Sequence, residues 1–372
     1  MSGRERANGL DCALRVRRGT FVLDVTATAA PGEVLAVIGA NGSGKSTFLG
    51  AIAGTHPLER GTVTLGARVL CSREPNNPSV ALRRAARRVG FLDQRARLFP
   101  HLSARANIAF GPRAQGVDRR SADAAADDWL ARVGLSGRGD DRPLQLSGGQ
   151  QQRIAIARTL AAAPELLLLD EPFAALDVAS SAELREIIAA EARRLGIPVV
   201  LVSHDPMDLV ALASRVIVLE AGKIAQSGTV AEVLGSPATP FAAAFTGRVL
   251  LRGVSTGTGF RVAGSPLPVL HGEGELPPAA AAAIASFDPS AVRVSPDPAL
   301  EAVTSLAANS WLGSIGAVSS GVTGIRVECA EWPGLFAELP VARAFEPWVT
   351  AGAPTRWELP AEAVRFSKTY GH

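Results

Sequence analysis

The sequence predicts an α/β domain with a largely parallel sheet, followed by a smaller β domain. Three observations carry that prediction. Nearly all-apolar runs such as "VLAVIG" (34–39) and "ELLLLDEP" (165–172) alternate with helical stretches, the pattern of strands buried on both faces. The first of these runs enters a glycine-rich loop and then a helix. From about residue 245 the pattern turns strand-like, with Gly, Ser and Thr turns, and the sequence repeats itself.

Taken in order, residues 12–38 are short apolar runs around a "PGE" turn at Pro31–Glu33 and read as strands. "KSTFLGAIAG" reads as a helix, and "GTVTLGARVL" returns to strand. Residues 101–145 read mostly as helix and loop, inside a helical subdomain expected at about 95–160. "QQQRIAIARTLAAA" continues it as helix. "SAELREIIAAEARRLG" is an amphipathic helix stopped at Gly196, and "IPVVLVSHD" is a further buried strand. "RVIVLEAGKIAQSG" reads as a hairpin, and the first domain, 1–235, ends just beyond it.

A linker is expected at 236–244, where "GSPATP" breaks the pattern. Beyond it, "VSTGTGFRV" (254–262) resembles "VSSGVTGIRV" (318–327), and "DPSAVRVS" (288–295) resembles "PAEAVRFS" (360–367). Both matches occur in the same order. The C-terminal domain, 245–368, is therefore expected to hold two tandem β modules, about 245–298 and 305–368. The Ala-rich "LPPAAAAAIAS" in the first is expected as a connecting helix or loop.

Composition narrows the function classes. The 372 residues, 47% hydrophobic, suit two or three domains with real cores. A net charge of +3 is too small to argue for nucleic acid. Arginine outnumbers lysine 35 to 3, which reads as codon bias, and the basic run at 83–97 reads as a solvated face. No apolar run reaches the ~18 residues of a membrane span. The N-terminal stretch lacks the apolar core of a signal peptide, so a cytoplasmic protein is expected. Cys12, Cys71 and Cys329 lie far apart without a CxxC pair, which argues against zinc and fits a reducing compartment.

The chemistry sits in a few short motifs. "GANGSGKST" (39–47) fits the phosphate-loop pattern in the context it needs, after a strand and before a helix. Gly39, Ala40, Asn41, Gly42, Ser43 and Gly44 can turn backbone N–H groups onto phosphate oxygens. Lys45 would offset charge on the β- and γ-phosphates, Ser46 is placed for Mg²⁺, and Thr47 can bond the phosphates. Asp170 and Glu171 form a carboxylate pair at a strand end. Asp170 would hold Mg²⁺ through water, and Glu171 would polarise the attacking water as a general base. His204 ends another apolar strand and would face the same crevice, in reach of the γ-phosphate. "LSGGQ" (146–150) puts a serine and two glycines at a helix start, a second anion cradle on a chain that already has one.

These motifs closely resemble the ATP-binding cassette (ABC) family over about 12–235. The resemblance implies a P-loop ABC nucleotide-binding domain that takes ATP and Mg²⁺. In that family two cassettes pack head to tail. Ser147, Gly148 and Gly149 would then grip the γ-phosphate held by the partner, and Gln150 closes the motif. Gln94 in "VGFLDQ" matches the family's Q-loop glutamine, which touches Mg²⁺ and the water. "AALD" (174–177) matches the D-loop, with Ala174 where Ser is usual, and Asp177 would contact the partner. The family usually stacks adenine on an aromatic ahead of the phosphate loop, but here that place holds Val16 or Arg17. Phe21, the nearby aromatic, reads as core rather than adenine platform.

The chain has one cassette and no fused membrane segment. "RARLFPHLSARANIAFGP" (95–112) is similar to the importer segment that receives a permease coupling helix. The β repeats resemble the TOBE/MOP-like, OB-type β-barrel modules of importer ATPases. The resemblance therefore implies a homodimeric ATPase, peripheral on the cytoplasmic face, that drives a separate integral membrane permease. A solute-binding protein would deliver the cargo. "ARLFPHLS" is similar to the molybdate-transport ATPases, so molybdate or tungstate is the expected oxyanion. Iron(III), sulfate and polyamine importer ATPases share much of this architecture. The C-terminal modules could bind an oxyanion or scaffold the dimer. A non-transport ATPase is the competing class, and nucleic acid is not an expected partner.

Overall fold

A computed structural model describes residues 9–75, 77–264, 269–296, 309–321, 324–332 and 334–368. The chain divides into two compact units after Val230.

The first unit opens with an antiparallel sheet. Its strands are β1 (Leu10–Arg18), β2 (Phe21–Ala29), β4 (Arg60–Leu65), β5 (Arg68–Arg73) and β6 (Val80–Ala81), in the order β2-β1-β4-β5-β6. Burial alternates along β1 and β2 because one face meets the core and the other meets water. The second sheet holds β3 (Val34–Gly39), β7 (Val89–Leu92), β8 (Leu166–Asp170), β9 (Val199–Val202), β10 (Arg215–Glu220) and β11 (Lys223–Thr229). Their order is β11-β10-β3-β9-β8-β7, parallel except for the β10–β11 hairpin. β3, β8 and β9 are buried at every residue, which is why they read as unbroken apolar runs.

Each face of the parallel sheet carries its own core. Leu35, Val37, Leu166, Leu168, Val200 and Val202 face α1 (Lys45–Ala53) and the antiparallel sheet. Val34, Leu167, Leu169, Val199 and Leu201 face the helical side. After the single turn α2 (Arg84–Arg87), that side is built from α3 (Ala104–Ala114), α4 (Arg119–Arg132), α5 (Gly148–Ala161) and α6 (Val178–Leu195). α6 stops where expected: Gly196 takes φ +60 and its N–H caps Ala192 and Arg193. The short α7 (Pro206–Leu212) follows β9. Parallel pairing brings the C-terminal ends of β3, β9, β8 and β7 side by side, and the candidate site lies there.

The second unit differs from expectation in three places. Residues 236–244 are not simply a linker. α8 (Val230–Gly235) precedes them, and α9 (Pro240–Phe245) takes up their second half and runs one residue past it. Thr239 caps α9 by accepting the Ala242 N–H at 3.0 Å, and Ala242 and Ala243 are buried.

The Ala-rich stretch is the second difference. It is not a helix: after a loop it becomes strand β15 (Ala282–Phe287), with Ala283 to Phe287 all buried. Pairing on both sides overrides the helical preference of alanine.

The third difference is the division of the repeats. β12 (Val249–Ser255), β13 (Phe260–Val262), β14 (Glu273–Gly274), β15 and β16 (Arg293–Pro296) fall within the first expected module. β17 (Ser310–Ser320), β18 (Ile325–Cys329), β19 (Phe336–Leu339), β20 (Pro354–Glu358) and β21 (Arg365–Lys368) come from the second. The sheets are β13-β12-β15-β21-β14 and β16-β20-β17-β18-β19. The last strand of each expected module thus sits in the sheet of the other, and one core containing Phe260, Phe287, Trp311, Trp357 and Phe366 serves both sheets. The expected module limits at 298 and 305 lie outside the described residues.

Candidate active site

The phosphate-loop candidates form one wall of a cavity of about 640 Å³ at the end of β3. Asn41, Gly42, Gly44, Lys45, Ser46 and Thr47 line it. Gly44 takes φ +112, and an added Cβ would lie 2.8 Å from Leu23 Cδ1 and 3.0 Å from Phe21 Cζ. Only glycine suits that turn on both counts. The Ser43 hydroxyl is buried with no hydrogen-bond partner, so this cradle has an unspent polar group. Lys45 Nζ donates to the Gly39 carbonyl at 2.6 Å and the Ala40 carbonyl at 3.1 Å. Burial pulls the Lys45 pKa down, while the charges of Glu171 and Asp170 oppose that shift.

Asp170 ends β8, 8% exposed, and the Ser46 side chain hydrogen-bonds to it. Burial raises its pKa, Ser46 pulls it back, and the neighbouring Glu171 and Asp93 add to the rise. Glu171 turns the chain at φ +50, and its N–H donates to Val202 O at 2.9 Å. Its carboxylate then meets two donors. Gln94 Nε2 reaches Oε2 at 2.9 Å, and His204 Nε2 reaches Oε1 at 2.6 Å. The three candidate catalytic residues, 77 and 33 positions apart along the chain, thus share one carboxylate.

Other candidates lie apart. Ser147 caps α5: its Oγ accepts the Gln150 N–H at 3.2 Å, and Gln150 Oε1 accepts the Ser147 N–H at 2.9 Å. Gln150 is thereby committed to the helix start. Ser147 and Gly148 are exposed, and nothing approaches an added Cβ at Gly148. None of these residues lines the phosphate-loop cavity of its own chain. Asp177 is exposed and caps α6, accepting from Ser180 N at 2.8 Å and Ser180 Oγ at 2.6 Å. Those bonds hold its pKa down.

One end of the cavity is formed by a residue expected in the core. Phe21 does pack on the core, yet its ring also lines the cavity beside Gly44. Val16, 1% exposed, is core, and Arg17 pairs outward with Glu59 at 2.9 Å. Sequence reasoning passed over Arg18, which lines the cavity with Phe21. The signal was there in "RRGTF": the tight turn between β1 and β2 holds both residues at one end of the hairpin.

Residues 22–174 match a family model described as ABC transporter. The molybdenum import ATP-binding protein ModC of Mycobacterium tuberculosis is 45% identical over 287 residues, covering 74% of this chain and 75% of that protein. The Fe(3+) ions import ATP-binding protein FbpC of Streptomyces coelicolor is 44% identical over 234 residues, 62% of this chain and 64% of that protein. Among solved structures, a dimeric ATP-binding cassette in a post-hydrolysis state, bound to ADP and Pi, matches with a TM-score of 0.52. That match has 26% identity and covers 59% of this chain and 98% of the other.

Proposed function

The chain belongs to the ABC transporter ATP-binding family, and we propose that it is the ATP-hydrolysing subunit of an importer for molybdate or tungstate. The single observation that supports this cargo is the extent of likeness. Similarity to a molybdenum import protein runs over 287 residues, while similarity to an iron import protein runs over 234. The longer match reaches beyond the cassette into the C-terminal unit.

The proposed chemistry follows from the contacts. The loop from Gly39 to Gly44 and the Lys45 ammonium bind the phosphates, and Thr47 adds a hydroxyl. Phe21 and Arg18 receive the base. Ser46, Asp170 and Gln94 form a hard oxygen set that fits Mg²⁺, which would neutralise charge on the phosphates. Glu171 accepts a proton from the attacking water, and Gln94 and His204 orient its carboxylate. Ser147, Gly148 and Gly149 serve the nucleotide of a second copy, with Asp177 at the same contact.

No helix among the described residues is long and apolar enough to cross a membrane. The work is therefore assigned to separate permease subunits, met at the cytoplasmic face, with a solute-binding protein delivering cargo. Phe99 and Phe110 pack at 4.6 Å, and Phe110 stays 48% exposed, an apolar surface suited to such a contact. In the C-terminal unit a cleft of about 590 Å³ holds Arg248, Arg252 and Arg326, a setting suited to an oxyanion.

The test is the elemental content of cells carrying Glu171→Gln, grown at limiting molybdate and limiting iron. A selective loss of molybdenum, restored by excess molybdate, is expected. Normal molybdenum with low iron or sulfur would move the protein to a sibling importer. No change in any element would overturn the importer reading. A second strain with Arg248→Ala tests the cleft, and an unchanged response of molybdenum content to external molybdate would remove the oxyanion from it.

A further inference from the structure

The His204 side chain is 42% exposed, so packing alone does not fix it against Glu171. The turn that carries it is tied down from behind. Ser203 Oγ donates to Asp208 and accepts the Asp205 N–H at 3.0 Å. Asp208 Oδ1 in turn accepts from Arg185 Nε at 2.7 Å and Nη2 at 2.6 Å. The same guanidinium reaches Asp205 Oδ2 at 3.1 Å. Arg185 therefore holds the residue after His204 directly and the residue before it through Asp208. Its side chain is 12% exposed, that of Asp208 is 4% exposed, and the guanidinium lies 5.3 Å over the Phe173 ring.

The pair also joins two elements. Arg185 is on α6, the helix that Asp177 caps, and Asp208 is on α7. Glu171, Arg185, His204 and Asp208 line one cleft of about 480 Å³. A buried, forked ion pair is geometrically demanding, and removing one partner strands a charge on the other. Such a pair is a poor choice for bulk stability and a good one for fixing a turn.

We propose that Arg185 and Asp208 are positioning residues that hold His204 on Glu171, so that the start of α6 and the reacting carboxylate move as one body. This rests on the reading of Glu171 and His204 as the hydrolytic pair. Neither positioning residue lines the phosphate-loop cavity, so nucleotide binding stays independent of them.

The experiment is steady-state ATP hydrolysis by the full-length chain, comparing Asp208→Asn, Arg185→Lys, His204→Ala and the double variant Asp208→Asn/His204→Ala. Asp208→Asn is expected to lower kcat about tenfold or more, as misplacing a reacting group does. The KM for ATP stays within about twofold, because binding groups are untouched. In the double variant Asp208→Asn adds little to the loss from His204→Ala, because both act through the same contact. Should Asp208→Asn unfold at the assay temperature, Arg185→Lys keeps the charge, loses the fork and carries the same cycle. Fully additive losses, or a KM that rises with kcat unchanged, would overturn the proposal. Normal turnover in Asp208→Asn beside an inactive His204→Ala would overturn it alone. Normal turnover in His204→Ala would overturn the underlying reading of the site.

Discussion

Asp170 shows what one residue sacrifices for a site. It is 8% exposed, with the acidic residues Glu171 and Asp93 close by. Burial comes first among the causes that raise its pKa, and the Ser46 hydrogen bond only partly offsets it. A carboxyl whose folded pKa lies above its unfolded one loses stability as pH rises between the two. The penalty is complete above the folded pKa, and it vanishes as pH falls to the unfolded value near 3.8. At neutral pH ionised Asp170 therefore costs folding free energy. Asp170→Asn is expected to stabilise the chain in metal-free buffer by on the order of 1 kcal/mol, or about 2–4 °C in melting temperature. It should also abolish hydrolysis. Added Mg²⁺ should raise the melting temperature of the native chain more than that of the variant. A variant that melts below the native chain in metal-free buffer at pH 7.5 would sink the argument.

At the scale of elements, α5 has two obligations at one end. Its Ser147–Gln150 capping box occupies the Ser147 and Gln150 N–H groups, while the exposed Gly148 leaves the helix start open to an anion. Ser147→Ala should cost about 1 kcal/mol of stability through the cap. Ser147→Asp keeps a capping side chain but sets a negative charge where phosphate would approach. Thermal melts should separate the two: the alanine variant melts lower, and the aspartate variant melts near normal yet loses hydrolysis. Hydrolysis at the native rate in the aspartate variant would deny the helix start any part in catalysis.

Which elements were legible follows from how each is stabilised. β3, β8 and β9 were plain because strands buried on both faces must be apolar throughout. α6 was plain because Gly196 marks its end. β15 was hidden because alanine suits helices locally, and only its two neighbours make it a strand. The exchange of β16 and β21 was hidden because similar copies can pair within or across, and local sequence is silent on that choice. At the site, the motifs named Gln94, Glu171 and His204 one by one. Their shared contact spans distant segments and appears only when β7, β8 and β9 lie side by side.

For the whole molecule, the question is why one chain would carry the two anion cradles proposed above, which do not meet. Lys45 lines the phosphate-loop cavity, and Ser147 is exposed at the start of α5 and does not line it. A cradle with no ligand of its own suits a symmetric dimer, where each copy offers one surface and receives the other. In the proposed dimer two sites form, each using Lys45 from one copy and Ser147 from the other. A homodimer of Lys45→Ala has no intact site, and neither has a homodimer of Ser147→Arg. A mixed dimer is different. One of its sites combines both defects, and the other combines Lys45 from the Ser147→Arg copy with Ser147 from the Lys45→Ala copy. Unfolding and remixing the two inactive variants in equal amounts should thus restore hydrolysis. Random pairing makes half of the dimers mixed, with one good site in two, so about a quarter of native activity is the expected ceiling. A cradle that served its own chain would give no gain on mixing, because every polypeptide in the mixture would carry a defect in its own site.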